Sequence, residues 1–282
     1  MWYIYMGLHL IGIVGYSLLL RRALVAKADK WTQATIMQTA IALPMVIASF
    51  FLRPDLSTYT ASTAVLLGLI IVLVIALHAA NVLAVQHLEA STYSILYNLR
   101  LVFVTILGIL FLGEKVVFLQ LLGGLLIFIA AVTVRKKAQH HTQAAGVWWG
   151  VAAAALLSVL SLCEKRLMGQ VGFYAYIVMN AYIATPIMWA ILLARGTRVK
   201  LAYITQKETI IFMAFRAISA YGFVLAISTG LLSVTSYISG MSVVLIVLFG
   251  ALLLGEKDHM RSKLIATALV VAGLTAILLA NL

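Results

Sequence analysis

The sequence reads STYSILYNLRLVFVTILGILFLGEK from Ser91 to Lys115 and SVTSYISGMSVVLIVLFGALLLGEK from Ser233 to Lys257. Both stretches open on small polar residues, run through an apolar segment and end on Gly-Glu-Lys. The offset between Gly113 and Gly255 is 142 residues. The same shift, without a gap, places Pro44 on Pro186, Arg53 on Arg195, Ser91 on Ser233 and Ser94 on Ser236. It also sets Met37 on Met179 and Gln38 on Asn180. Coincidences among Leu, Ala and Ile carry little weight in an apolar chain. A proline at the same place in both halves and a repeated Gly-Glu-Lys carry more. The chain therefore reads as two repeats, 1–141 and 142–282.

Working outward from these stretches, the whole chain is apolar. Of 282 residues, 64% are hydrophobic and 10% charged, with a mean hydropathy of +1.11. Soluble domains carry about 45–50% apolar and about 25% charged residues, so a water-facing surface is excluded. Three prolines, spread widely, exclude a disordered or fibrous chain. Apolar stretches of spanning length, about 20 residues each, are expected near 2–20, 33–52, 62–86, 91–111, 116–134, 146–163, 173–194, 209–229, 232–254 and 264–281. The breaks between them are too short for a further domain, and no P-loop is present to drive ATP-coupled pumping. The first stretch lacks a basic leader and a small-residue cleavage site, so it is expected to remain as a span. Cys163, the one cysteine, has no partner for an intramolecular disulfide. The fold class expected is an all-α integral membrane protein of ten transmembrane helices in two inverted five-helix repeats. Five is odd, so the second repeat enters the membrane with opposite orientation. Such repeats place a substrate site between the halves, near the midplane.

The formal charge is +12, which in a soluble protein suggests nucleic acid. Here the basic residues fall in the breaks, where they act as topological anchors. No nucleic-acid partner is expected. With the N-terminus outside, fourteen basic residues lie in inner loops and four, Arg53, Lys115, Lys165 and Arg166, in outer ones. That leaves Arg100 and Arg216 inside spans. A mid-bilayer arginine costs about 2.5–3.5 kcal/mol on insertion scales, so each must face protein, water or a ligand. Two fixed cations suggest a substrate bearing a carboxylate or phosphate.

Tyr93, Tyr97 and Arg100 share one helical face. Ser236 and Tyr237 occupy the matching part of the second repeat. His78 and Asn81 share a face of the third span, with His78 as a candidate for proton coupling. His9, with Tyr5 and Tyr16, forms a similar stripe expected nearer the interface. Arg100, Tyr97, Tyr93, His78, Asn81, Tyr237, Ser236 and Arg216 are thus the candidate substrate-binding residues. Packing between helices is the alternative reading for the small polar residues. Pro44 and Pro186 are candidate gating kinks. Glu89 and Glu164 are expected at span ends, and Glu114, Glu256 and Asp258 in loops, which disfavours cationic drugs as substrates. His140-His141 lacks an adjacent acid or spaced cysteine, and neither His-Glu-x-x-His nor Gly-x-Ser-x-Gly occurs. No enzyme activity, metal or cofactor is expected.

The paired Gly-Glu-Lys motifs, within Ser91–Val134 and Ser233–Leu279, resemble the drug/metabolite transporter superfamily, EamA-like branch, over essentially the whole chain. The resemblance implies a ten-helix secondary transporter, often an exporter, in the cell membrane (the bacterial inner membrane). Helices 1–4 and 6–9 would line a cavity, with helices 5 and 10 as braces. It also implies cytoplasmic termini, which opposes the charge count. The expected function is alternating-access export or exchange of a small organic metabolite, amino-acid-like or anionic. Protons are the expected coupling ion, with a monomer or homodimer in the lipid bilayer. The alternatives are a lipid-carrier flippase or other lipid-handling protein, and a structural partner that transports nothing.

Overall fold

The computed structural model describes residues 2–25, 29–112, 118–135, 141–197, 201–229, 235, 238–256 and 258–279. Its helices are α1 (Trp2–Val25), α2 (Lys30–Phe51), α3 (Ala61–His87), α4 (Ala90–Tyr97), α5 (Leu99–Leu112), α6 (Phe118–Arg135), α7 (His141–Val171), α8 (Phe173–Ala194), α9 (Leu201–Ile204), α10 (Lys207–Thr229), α11 (Ser242–Leu253) and α12 (Met260–Leu279). Among the described residues there is no strand. Among the described residues seven helices are long and apolar enough to cross a membrane. Phe118–Thr133 and Ile238–Leu253 are shorter apolar helices. The protein is a multi-pass membrane protein, and its outer surface carries the bulky apolar side chains that lipid requires, including Phe50, Leu110, Phe118, Leu125 and Leu253.

Local chemistry sets the boundaries. Asp29 caps α2, accepting from the Thr32 amide at 2.7 Å. Thr60 and Thr63 form a reciprocal capping box at the start of α3, satisfying amides that the first turn leaves free. Gly255, at φ 69°, is the left-handed residue that ends α11, as its place after the apolar run predicts. Its counterpart Gly113 lies outside the described residues.

Among the described residues a helix or helix pair lies over each of the ten expected apolar stretches, with three departures, one of them the ninth, whose helix is described from Ile238 and is divided at Met241. The fourth stretch is divided at Asn98, whose side-chain amide donates to the Ser94 carbonyl at 2.9 Å, a local bond that competes with the helical ladder. The sixth stretch runs well past its expected end. Glu164-Lys165-Arg166 is not a break, because α7 continues to Val171 with Lys165 and Arg166 on its exposed face. The chain turns at Gly172 instead, at φ 81°, a conformation that favours glycine.

The dominant contacts are reciprocal between the halves. α1 packs chiefly on α10 and α3 on α7, while α2 pairs with α8, α6 with α12 and α4 with α11. Two of these crossings depend on glycine. A Cβ on Gly123 would lie 2.5 Å from the Gly273 carbonyl oxygen, and a Cβ on Gly12 2.4 Å from the Ser219 amide nitrogen. Backbones at such distances exclude any larger residue.

One end of the bundle gathers Arg21, Glu89, Glu256 and Lys263. Glu256 was expected in a loop, and it is buried there with 6% exposure. Its carboxylate accepts from the amides of Ala90 and Ser91 at 2.9 and 3.2 Å and from the Ser91 hydroxyl at 2.9 Å. Arg21 approaches it at 3.6 Å, and Lys263 pairs with Glu89 at 2.5 Å. A carboxylate from one half thus caps a helix of the other, where the macrodipole favours it. The opposite end joins the Tyr174 hydroxyl to the Leu52 carbonyl at 2.6 Å.

Candidate functional site

A cavity of about 170 Å³ lies among α1, α2, α3, α4, α5, α7, α8 and α10. Drug-sized pockets run to roughly 300–1,000 Å³, so this one suits a small metabolite. Much of the wall is apolar, including Ile13, Leu77, Leu160 and Phe223. Into it project charged and polar groups from separate helices.

Arg100 sits in the first turn of α5, with 8% exposure. Its Nη2 donates to the Ser239 hydroxyl at 2.9 Å, its guanidinium lies 5.2 Å from the Tyr97 ring centroid, and its backbone carbonyl accepts from the Ser158 hydroxyl at 2.9 Å. Arg216, on α10, lies 4.9 Å from the Tyr16 ring centroid. The Nε of each arginine is buried without a hydrogen-bond partner. Among the described residues neither forms a salt bridge. Leaving a buried cation such as Arg100 this incompletely paired is costly, and the cavity is where a partner would enter.

A second polar group lies at the crossing of α2 and α8. His78 Nε2 bonds the Gln38 side-chain oxygen Oε1 at 3.1 Å, so that nitrogen carries the proton. Gln38 Nε2 donates onward to Asn180 Oδ1 at 3.2 Å. His78 Nδ1 and Asn180 Nδ2 are buried without partners. Glu164 completes the lining, its carboxylate accepting from the Tyr176 hydroxyl at 2.5 Å.

Of the expected site residues, Arg100, Tyr97, His78, Asn81 and Arg216 line this cavity. Tyr93 stands behind it, 5.3 Å from the Tyr97 ring, donating to the Asn81 side-chain oxygen and lining a small adjoining space with Ser94 and Asn98. Ser236 and Tyr237 lie outside the described residues. Pro44 and Pro186 fall inside α2 and α8 on exposed surfaces, so both sit away from the lining. The Tyr221 hydroxyl donates to the Ile41 carbonyl in the turn before Pro44, where proline disturbs the ladder.

Gln38, Asn180, Glu164, Tyr176 and His9 line the cavity without having been among the expected site residues. Glu164 was expected at a span end, yet Leu157, Leu160, Ser161 and Glu164 all face the cavity at offsets of three, four and seven, one helical stripe. That spacing was the available signal. Tyr176 follows from Glu164 by contact alone. His9, expected near the interface, is buried at 4% exposure.

Residues 1–135 match the family model of the EamA-like transporter family, part of the drug/metabolite transporter superfamily. The chain is similar to a solved crystal structure at 17% identity, with a TM-score of 0.61 over 98% of both chains, a likeness that shows the fold alone. No curated protein matches the sequence.

Proposed function

We propose that this membrane transporter, EamA-like over residues 1–135, moves a small organic metabolite bearing an anionic group, amino-acid-like or a simple organic acid, as an exporter or exchanger. The observation that carries the reading is Arg100, buried in a cavity with an unpartnered Nε. Arg216 adds a second cation, and Glu164 offers an acceptor for a substrate ammonium. Gln38, Asn180 and His78 supply the neutral polar contacts that a small ligand needs for orientation.

The mechanism is alternating access between inverted five-helix units, 1–141 and 142–282. Supporting it, the offset that aligns the two Gly-Glu-Lys motifs also carries Phe118 of α6 to Met260, the start of α12, and His87 of α3 to Thr229, the end of α10. Pairs equivalent under that offset touch each other. Gln38 bonds Asn180, and Asn98 Oδ1 lies 2.7 Å from where a Cβ on Gly240 would stand. Equivalent residues meet when they flank a two-fold axis. The positive-inside count assigns the Arg21–Glu256 end to the cytoplasm and both termini outside. Protons are the coupling ion.

Counterflow in proteoliposomes tests the substrate class, with L-serine, succinate and glycerol 3-phosphate against tetraphenylphosphonium and glucose. At least one anionic or zwitterionic probe is expected to move, and Arg100→Ala to lose most of that transport, keeping a measurable residue, while reaching the membrane normally. Transport of the cationic or neutral probe alone, or full transport by Arg100→Ala, would refute the reading.

A further inference from the structure

Arg100 is tied to the opposite side of the bundle by a chain of buried polar groups from four parts of the sequence. His9 comes from α1, Ser219 from α10 and Ser239 from the helical turn before α11. Their exposures are 4%, 2% and 0%, against 8% for Arg100. His9 Nδ1 lies 2.8 Å from the Ser219 carbonyl oxygen, and His9 Nε2 lies 2.8 Å from the Ser239 hydroxyl. That hydroxyl also accepts from Arg100 Nη2 at 2.9 Å.

Chemistry fixes the direction of every bond in this chain. A carbonyl oxygen only accepts, so His9 Nδ1 carries the proton. In the neutral ring Nε2 is then the acceptor, and the Ser239 hydroxyl must donate to it. With that proton committed, the Ser239 oxygen offers only lone pairs to the guanidinium. The run is Arg100 to Ser239 to His9 to the α10 backbone. Both ring nitrogens of His9 are occupied, although the residue borders the cavity. Its bonded route to Arg100 runs through Ser239.

The anchorage is rigid. A Cβ on Gly222 would stand 2.7 Å from the His9 amide nitrogen, and one on Gly12 2.4 Å from the Ser219 amide nitrogen. α1 and α10 therefore touch through backbone on both sides of the imidazole. At the far end, the guanidinium is planar and is held at Nη2 by Ser239 and on one face by Tyr97. Two such restraints set its plane.

We propose that His9 is a positioning residue: through Ser239 it fixes the orientation of Arg100 and so sets the affinity of the cavity for the anionic group of the substrate. The proposal rests on Arg100 as the anion-holding group. A freed guanidinium would have to be ordered by each ligand, at a cost in affinity.

The test uses the purified full chain in proteoliposomes, with L-serine, succinate and glycerol 3-phosphate as probes and KM and kcat read for each probe the wild type carries. His9→Phe keeps the ring and removes both nitrogens; Ser239→Ala cuts the chain one link later. Each is expected to raise KM about tenfold, the scale of a hydrogen bond to a charged group, with kcat within about twofold. The double variant should be no worse than either single one. His9→Gln, which returns an acceptor for Ser239, should recover most of the loss. In an Arg100→Ala background, His9→Phe should change the residual KM by less than about twofold, which a merely structural role would not produce. Should His9→Phe fail to fold, Ser239→Ala and His9→Gln carry the same comparison. A wild-type KM in folded His9→Phe or Ser239→Ala, or additive losses in the double variant, overturns the inference and leaves the anion reading standing. A wild type that carries none of the probes removes both.

Discussion

Two groups of buried charge, one at an end of the bundle and one in its middle, are built on opposite rules. At the end, the Glu256 carboxylate has two amides, a hydroxyl and a guanidinium around it, and Gly250 leaves it room, since a Cβ there would lie 3.0 Å from Oε2. Lys263 is 2% exposed and bonds both the Glu256 carbonyl at 2.9 Å and Glu89. In the middle, Arg100, Arg216, His78 and Asn180 each keep a buried nitrogen unpartnered. A folded chain tolerates unmet polar groups where a ligand is to meet them. The first group joins residues far apart in the chain, and the second leaves bonding capacity that the proposed anionic ligand would meet. The lesson is that buried charge alone does not point to a site, and that unspent bonding capacity gathered around one cavity is what motivates the proposed one.

The largest effect expected from breaking this contrast is on stability at the end cluster. Glu256→Ala strips the cap from α4 and removes the counter-charge from Arg21. Removing one partner of a buried pair costs about 3–5 kcal/mol, so the unfolding midpoint in detergent should drop sharply and the folded yield with it. Glu256→Gln, which keeps an acceptor, should lose roughly half as much. An unchanged midpoint in Glu256→Ala would show that the cap contributes nothing.

Arg100→Ala should behave in the reverse sense. Transport by kcat/KM is expected to fall at least thirtyfold, about 2 kcal/mol, the lower range for truncating one side of a buried charged contact. The unfolding midpoint should hold or rise, because an incompletely paired cation is being removed. A midpoint that falls as far as in Glu256→Ala would place Arg100 among the structural charges and erase the distinction.

Much of this plan was legible in the sequence because hydropathy and a repeated motif are properties of whole segments. The apolar stretches, the α8 limits and five of the lining residues came from there. Charge was harder. Glu164-Lys165-Arg166 looks like a loop by composition, and only the stripe from Leu157 to Glu164 marks it as helix, with the two cations outward. Glu256 lies in a loop as expected, but its burial was hidden because nothing local to Gly255-Glu256-Lys257 reveals a partner helix 165 residues away. The burial of His9 was hidden for the same reason. Pairings across the halves are tertiary facts, and a single sequence carries no direct signal of them.

Glu164 is where the contrast is sharpened next. It belongs to the cavity, yet its carboxylate has a bonded tyrosine, so it stands between the two rules. If it receives a substrate ammonium, Glu164→Gln should reduce the preference for L-serine over succinate about tenfold, one charge-assisted bond. Stability should change little. An unaltered preference, with both probes still carried, would assign Glu164 to the frame with Glu256.

The smallest effect belongs to Glu89, the least buried member of the end cluster, with 23% of its side chain exposed against 3% for Lys263. Burial outweighs the neighbouring Lys263 ammonium and holds the Glu89 carboxyl above its ordinary range. The folded protein therefore binds that proton more tightly than the unfolded chain does. By linkage, stability falls as pH rises from the unfolded value through the raised folded one, and is recovered as pH falls back. Glu89→Gln should remove that slope while shifting the midpoint at neutral pH by less than about 1 kcal/mol, as for a solvent-screened pair. Lys263 would still keep its bond to the Glu256 carbonyl. A loss as large as that of Glu256→Ala would mean that Lys263 depends on Glu89, and that the cluster stands or falls as one unit rather than resting on its central carboxylate.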